Sequence, residues 1–236
     1  MAGRKLMRYA FFKLDPEWRF RPPEERVLHK KELASLVESA AGGSLEVYPY
    51  STVGMRADAD VALWLIGDEP AGIQRFQALW NGTALGQALA PSYSYLAMTR
   101  PSIYVKGHKH EGQEQDRPPG PRGDPYLFVY PMVKLRSWYR LPFEDRRRIM
   151  GEHFRIGHKY PGVLIHTGYS FGIDDQEFVV AFEAATLEEF LDLVMELRES
   201  ESSSYTERDV PIFTCVRLPF AGILDQLDGG SGPPPG

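Results

Sequence analysis

The sequence predicts an α+β protein of two similar halves, because a weak internal duplication spans most of its 236 residues. Residues 9–26 and 126–146 each show a strand, a Trp-containing connection and a proline that opens a charged helix. Residues 53–80 and 169–198 each show an Asp-rich turn between two strands, followed by a second helix. The same order of elements is therefore expected twice.

A last strand completes each copy, at residues 94–102 and 212–220. The resulting order β-α-β-β-α-β is ferredoxin-like, a four-stranded antiparallel sheet with helices on one face only. The uncovered face of such a sheet must be buried. We therefore predict two ferredoxin-like halves whose antiparallel sheets pack into a barrel-like core, the dimeric α+β barrel type.

Composition sets the predicted boundaries. The N-terminal half is expected to span residues 1–105, and the C-terminal half residues 125–222. Residues 106–124 are polar and rich in Pro and Gly, which predicts an exposed linker. Residues 223–236 end in a Gly- and Pro-rich run and are expected to form a flexible tail.

Charge and cysteine content exclude several classes of function. The net charge of −5 offers no basic surface for nucleic acid or for an anionic membrane. No apolar run approaches the roughly 20 residues that cross a bilayer, and no signal-peptide pattern opens the chain. Cys215 is the only cysteine, which excludes internal disulfides and cysteine-held metal clusters. We predict a cytoplasmic protein without a membrane span.

The densest set of chemistry-bearing residues lies between residues 130 and 182. A tyrosine in an apolar strand is followed by a lysine, a Trp-Tyr pair and a helix that carries His153, and a second histidine, His166, lies in the next strand. A porphyrin pocket needs such parts: a nitrogen for iron, aromatic walls, cations for the propionates and an oxidisable phenol.

Each of these residues also has an ordinary structural explanation. The helix predicted for residues 142–160 places His153 on an inward-facing stripe, where a hydrogen-bonded core histidine is the ordinary interpretation and a metal ligand the alternative. A strand tyrosine such as Tyr130 commonly packs with a tethered hydroxyl, and Trp138 fills a core equally well. Lys134 alone could be a solvated residue at a strand end. From spacing alone, both explanations stay open.

Three motifs resemble the chlorite dismutase-like superfamily and, within it, the coproheme decarboxylases: YPMxK at 130–134, WYxL at 138–141 and EHxxxGxKY at 152–160. The resemblance spans both halves. It implies haem or iron-coproporphyrin III (coproheme) as the bound porphyrin and a homo-oligomer, usually a pentamer. It further implies oxidative decarboxylation of two propionates of coproheme to give protohaem, with hydrogen peroxide as oxidant and a tyrosyl radical relay.

The resemblance also assigns roles to individual residues. His153 aligns with the axial iron ligand, Tyr130 with the catalytic tyrosine and Lys134 with the lysine that meets the reacting propionate. His166, 13 residues after His153, takes the distal position above the iron. The remaining residues expected to contact the porphyrin are Met132, Trp138, Arg198 and Ser203.

Histidine at the distal position departs from the superfamily's pattern. Chlorite dismutases carry arginine there, so its absence argues against chlorite chemistry. A distal imidazole could act as an acid–base group for peroxide, or bind iron as a sixth ligand. Three functions therefore stay open: coproheme decarboxylase, haem-dependent peroxidase or weak catalase acting on small reductants, and non-catalytic porphyrin-binding protein. Arg117 and Arg122 of the linker are further candidate partners of propionates.

Overall fold

A computed structural model describes three stretches of the chain, residues 4–40, 44–104 and 119–230. The chain divides into two compact units, one made of Met1–Met98 with Phe213–Gly236 and the other of Thr99–Ile212. None of the helices in the described stretches is long and apolar enough to cross a membrane.

The first unit begins with seven elements, which in chain order are β1 (Leu6–Leu14), α1 (Pro23–Ala40), β2 (Leu45–Ser51), β3 (Val61–Gly67), α2 (Pro70–Gly82), α3 (Ala84–Ala88) and β4 (Leu89–Thr99). The strands form an antiparallel sheet in the order β4-β1-β3-β2. Side chains alternate along β1, and Phe12 stacks on Trp80 of α2 with ring centroids 4.9 Å apart. Leu33 of α1 is buried in the same apolar core.

The second unit repeats this order with β5 (Tyr126–Lys134), α4 (Arg136–Arg140), α5 (Phe143–Gly157), β6 (Leu164–Tyr169), β7 (Phe178–Ala184), α6 (Leu187–Glu199) and β8 (Thr206–Arg208). The antiparallel order is β6-β7-β5-β8. Helix α5 is shorter than predicted: Pro142 is extended and precedes it, and the chain leaves the helix after Gly157. The predicted α+β class with antiparallel sheets is confirmed.

The last predicted strand of the C-terminal half belongs to the first unit instead. Strand β9 (Phe213–Val216) pairs with β2 through Val216 opposite Ser51. The ring of Phe213 is fully buried and stacks on Phe11 of β1 at 3.7 Å. The boundary at residue 222 is corrected for this reason, because the partners that bury Phe213 lie on strands of the first unit.

The predicted flexible tail begins inside a helix. Helix α7 (Phe220–Gln226) is capped at its C-terminus by Leu227, and Ile223, Leu224 and Leu227 are buried to 1% exposure or less in the core that also contains Leu33 of α1. The Gly- and Pro-rich composition that predicted a tail applies only to the residues after this helix, and 231–236 lie outside the described residues. The predicted boundary at residue 223 is corrected accordingly.

We expect Leu227→Ala to lower the free energy of unfolding by about 2–5 kcal/mol, because it leaves a cavity beside α1. Leu28→Ala on the exposed face of α1 is the control and should change that free energy by less than about 0.5 kcal/mol. Urea unfolding followed by circular dichroism measures both. Equal stability of the two variants would contradict the packing of α7.

Candidate functional site

Strand β5 presents three of the predicted site residues on one face. Tyr130, Met132 and Lys134 alternate along it, so their side chains point the same way. Tyr130 and Met132 pack against a buried apolar cluster, and the Tyr130 ring stacks on Phe182 of β7 at 5.9 Å. The period of the strand thus explains why the YPMxK motif delivers a phenol, a thioether and an ammonium to one place.

Lys134 is held at the end of β5 with its side chain buried. Its ammonium donates a hydrogen bond to the carbonyl oxygen of Ser202 at 3.0 Å and lies 5.1 Å from the centre of the Trp138 ring. Burial lowers the pKa of Lys134 to about 8, against the opposing charges of Asp209 and Glu177. The ammonium is therefore mostly charged at neutral pH and fixed in position.

Helix α5 brings His153 to the same place. Nδ1 of its ring lies 3.3 Å from the hydroxyl oxygen of Ser202, which is itself 2.9 Å from that of Ser200. Burial, and then the charge of Lys134, lower the pKa of His153 to about 4. The imidazole is therefore neutral at pH 7, and a neutral ring nitrogen is the form that binds a metal. Among the described residues, no side chain hydrogen-bonds Nε2.

Tyr130 lies close to an ion pair between Arg198 and Asp209. Burial raises the pKa of its phenol above the usual range, the carboxylate of Asp209 raises it further, and Arg198 opposes both. The phenol is therefore protonated at physiological pH. The structure thus places Arg198, predicted from the sequence as a porphyrin contact, beside the predicted catalytic tyrosine.

Ser203 does not contact His153, and its contact with a propionate stays a prediction from the sequence. Its backbone N–H donates to the carbonyl of Ser200 at 3.1 Å, and it is the side chain of Ser202 that reaches His153. The sequence gives no signal for the choice between adjacent serines, because it depends on the phase of the 3₁₀ turn at Glu201–Tyr205.

Glu177 is a site residue that sequence reasoning missed. Its carboxylate accepts hydrogen bonds from the Lys134 backbone N–H at 2.9 Å, from Arg136 at 2.7 Å and from the Tyr139 hydroxyl at 2.5 Å. It therefore ties the end of β5 to α4, which carries Trp138. The sequence shows only an acidic turn there, and one signal was available: an acidic residue directly before five consecutive apolar residues, 178–182, needs a buried partner.

The strand register places His166 on the other face of the sheet. Tyr130 is opposite Val180, which is opposite Thr167, whereas His166 is opposite Ala181. Since successive residues of a strand point to opposite faces, His166 points away from the face of Tyr130. The structure does not bring it together with the other site residues. The distal assignment of His166 is corrected, because a shift of one residue in a strand turns a side chain to the opposite face.

His166 instead forms a buried pair with Glu183. Its Nε2 lies 2.8 Å from a Glu183 carboxylate oxygen, and the two residues are 3% and 0% exposed. Backbone N–H groups of Arg122 and Gly123 also donate to Glu183, at 2.7 and 2.9 Å. Burial alone would raise the pKa of Glu183, but the hydrogen bonds from His166 and the backbone hold it below its usual value. Glu183 therefore fixes both β6 and the segment directly before β5 to β7.

We expect Glu183→Gln to lower the free energy of unfolding by about 2 kcal/mol at pH 7, the contribution of hydrogen bonds to a charged group. The native pKa of this carboxyl is depressed, so the ionised form stabilises the fold above the unfolded pKa, and that stability is lost as pH falls through the native pKa. Urea unfolding at several pH values tests this, with exposed Glu188→Gln as control. A difference that does not change with pH would contradict it.

Of the two linker arginines, only Arg122 lies in the described part of the chain, and its guanidinium is already paired. Arg122 donates to the Gly162 carbonyl oxygen at 2.6 Å and pairs with Asp124. Arg117 lies outside the described residues. Of the cations predicted from the sequence, the structure places Lys134 and Arg198 at the site.

Comparison with known proteins identifies the family. Residues 26–218 match the chlorite dismutase family. The chain belongs to the chlorite dismutase family. The coproheme decarboxylase of Mycolicibacterium smegmatis is 32% identical to this chain over 179 residues, which is 75% of each chain. The coproheme decarboxylase of Staphylococcus carnosus is 28% identical over 214 residues, 83% of this chain and 84% of the relative.

Solved structures agree with this assignment. A chlorite dismutase mutant from Candidatus Nitrospira defluvii superimposes on this family member with a TM-score of 0.86 at 27% identity, over 95% of both chains. The chlorite dismutase of the same organism in complex with imidazole gives a TM-score of 0.85 at 26% identity, again over 95% of both chains. The predictions of the family, of an α+β fold and of an enzyme are confirmed.

Proposed function

We propose that this protein is a haem-dependent oxidoreductase that decarboxylates two propionates of coproheme to give protohaem, with hydrogen peroxide as oxidant. The relatives named coproheme decarboxylase support the substrate class. The observation that carries the proposal is the convergence of a neutral imidazole, a buried ammonium and a protonated phenol on one face of the second unit, from His153, Lys134 and Tyr130.

The residues present fit an iron porphyrin. When bound, the iron porphyrin supplies both the centre that reacts with peroxide and the propionates that are decarboxylated. His153 would hold the iron through its neutral ring, and Ser202 at Nδ1 fixes the ring's orientation. Lys134 and Arg198 supply positive charge for carboxylates, and Met132 and Trp138 supply apolar contacts.

Tyr130 performs the hydrogen transfer. Its phenol is protonated, so it gives up an electron together with its proton, and the resulting radical takes a hydrogen atom from the propionate chain. The CH₂–CH₂–COO⁻ group becomes a vinyl group and CO₂, and releases two electrons and one proton. One H₂O₂ accepts the two electrons together with this proton and one more from solvent, and becomes two water molecules. Each propionate therefore consumes one peroxide.

Lys134 holds the reacting carboxylate. Its ammonium is fixed between Ser202 and Trp138, and a partly desolvated ammonium pairs strongly with a carboxylate. A pKa near 8 also lets it exchange a proton close to neutral pH. Lys134 can therefore bind the propionate and donate the further proton that the reduction of peroxide consumes.

Mass spectrometry of the porphyrin tests the proposal. Purified protein loaded with iron-coproporphyrin III and supplied with peroxide should give a product lighter by one CO₂ and two hydrogen atoms for each of two propionates, and samples without peroxide should keep the starting mass. Rapid oxidation of guaiacol with an unchanged porphyrin mass would instead identify a peroxidase or weak catalase. If neither reaction occurs although the porphyrin binds, the protein is a non-catalytic porphyrin-binding protein.

The placement of His166 weakens the peroxidase alternative, because that function relied on an imidazole above the iron. His166 is paired with Glu183 on the opposite face of the sheet. Nothing else among the described residues favours oxidation of small reductants. The homopentamer and the cytoplasmic location stay predictions from the sequence.

A further inference from the structure

Arg146 lies on the same stripe of α5 as His153. Seven residues separate them, which at about 100° per residue is roughly 20° short of two full turns, with a rise of about 10 Å. Met150 lies between them on this stripe. Arg147, the next residue, is turned by about 100° and is exposed. Arg146 is therefore the arginine of the first turns of α5 that faces the same way as the proposed iron ligand.

The guanidinium of Arg146 ends a row of aromatic rings. Its central carbon lies 5.7 Å from the centre of the Phe143 ring, and Phe143 stacks on Tyr104 at 5.9 Å. The Tyr104 and Trp138 rings pack edge to face with centroids 6.3 Å apart, and the Lys134 ammonium lies over the Trp138 ring, 5.1 Å from its centre. Two cations thus stand at opposite ends of one aromatic wall.

Arg146 has no acceptor for its buried nitrogen. Its Nε is buried without a hydrogen-bond partner, and within the described stretches the guanidinium takes part in no ion pair. Its neighbours differ, since Arg147 pairs with Glu144 and Arg148 with Glu201. A buried N–H without an acceptor is costly, and a guanidinium is suited to bind a carboxylate with two parallel hydrogen bonds.

The internal duplication shows what an arginine at this position can bind. Arg26 is the counterpart of Arg146, and each donates its backbone N–H to the proline four residues earlier, Pro22 or Pro142. Nη1 of Arg26 lies 3.2 Å from the carboxylate of Asp228, and both side chains are mostly buried. Nε of Arg26 is likewise without an acceptor, and Arg26 differs from Arg146 in having a carboxylate partner for its Nη1.

We propose that Arg146 binds a propionate carboxylate of the porphyrin. The propionate would take the place that the carboxylate of Asp228 has beside Arg26 in the first unit. This inference rests on the proposed function and adds a second carboxylate subsite to the one at Lys134. The two cations lie at either end of the wall formed by Phe143, Tyr104 and Trp138, and a porphyrin with several propionates presents carboxylates to both. Arg146 then favours porphyrins that still carry their propionates.

Porphyrin titrations test this without any turnover. Iron-coproporphyrin III and its tetramethyl ester are titrated into wild type, Arg146→Met and the matched control Arg147→Met, in one detergent-containing buffer of low salt, and the Soret band gives Kd. We expect Arg146→Met to raise Kd for the tetra-acid by roughly 10- to 100-fold, the range for a hydrogen-bonded charge, and to leave Kd for the ester unchanged. Arg147→Met should stay within about twofold for both porphyrins.

Two results overturn the inference: an unchanged Kd of Arg146→Met for the tetra-acid, or an equal loss for acid and ester, which indicates a structural role. Should Arg146→Met fail to fold by circular dichroism, Arg146→Gln decides by the same criterion. If wild type binds the tetra-acid and the Arg146 variants bind it with the same Kd, this inference alone is wrong. Wild type that binds neither porphyrin overturns the proposed function as well.

Discussion

His153→Ala is expected to raise the Kd for an iron porphyrin by about 100-fold or more and to remove the absorbance signature of imidazole ligation. Loss of an outer partner of a metal ligand typically costs about 10- to 100-fold in metal affinity, and loss of the ligand itself should cost at least as much. The structure supports this because His153 is neutral at pH 7 and its ring is oriented by Ser202. Absorbance titration with iron-coproporphyrin III measures both quantities.

Two further variants sharpen this test. His158→Ala changes an exposed histidine at the end of the same helix and should bind with wild-type affinity and spectrum. Ser202→Ala removes the hydroxyl contacts with His153 Nδ1 and with Ser200, keeps the carbonyl that binds Lys134, and should weaken binding by about tenfold. Added imidazole should restore the spectrum of His153→Ala, because it can enter the space left by the ring. An unaltered spectrum in His153→Ala would disprove iron ligation by this residue.

The elements that carry the site could be predicted from the sequence because their periods are clear. Alternation along β5 places Tyr130 and Lys134 on one face, and the helical spacing of α5 turns His153 inward. The position of His166 could not be predicted in this way. It depends on where the chain re-enters the sheet after α5, and the connection at 158–163 sets that register without a periodic signal.

The contacts between elements could not be predicted from the sequence either. The hydrogen bonds of Glu177 with Lys134 and Tyr139 join residues about 40 positions apart in the sequence. The contact between Ser202 and His153 joins residues 49 positions apart. Such pairings follow from tertiary packing, which no local pattern encodes. The helix after residue 219 was missed for another reason, since the composition of the last residues masked the apolar spacing of Ile223, Leu224 and Leu227.

Tyr130→Phe is expected to slow decarboxylation by about 100-fold or more, the scale at which loss of one catalytic group is felt. The phenylalanine ring keeps the stacking on Phe182, so folding and porphyrin affinity should stay within about twofold of wild type. What is lost is the O–H that delivers a hydrogen atom. The rate of CO₂ release per bound coproheme, measured at saturating porphyrin, separates the chemical step from binding.

Tyr126→Phe is the matched control. Tyr126 lies on the same face of β5 as Tyr130, four residues before it and therefore further from Lys134. It should decarboxylate at the wild-type rate. The pH profile adds a second criterion: burial keeps the pKa of Tyr130 above its usual range, so no phenol titration should limit the rate between about pH 6 and 9. Full activity of Tyr130→Phe would show that the hydrogen atom leaves through another residue, and Tyr130 would then be a packing residue of the pocket.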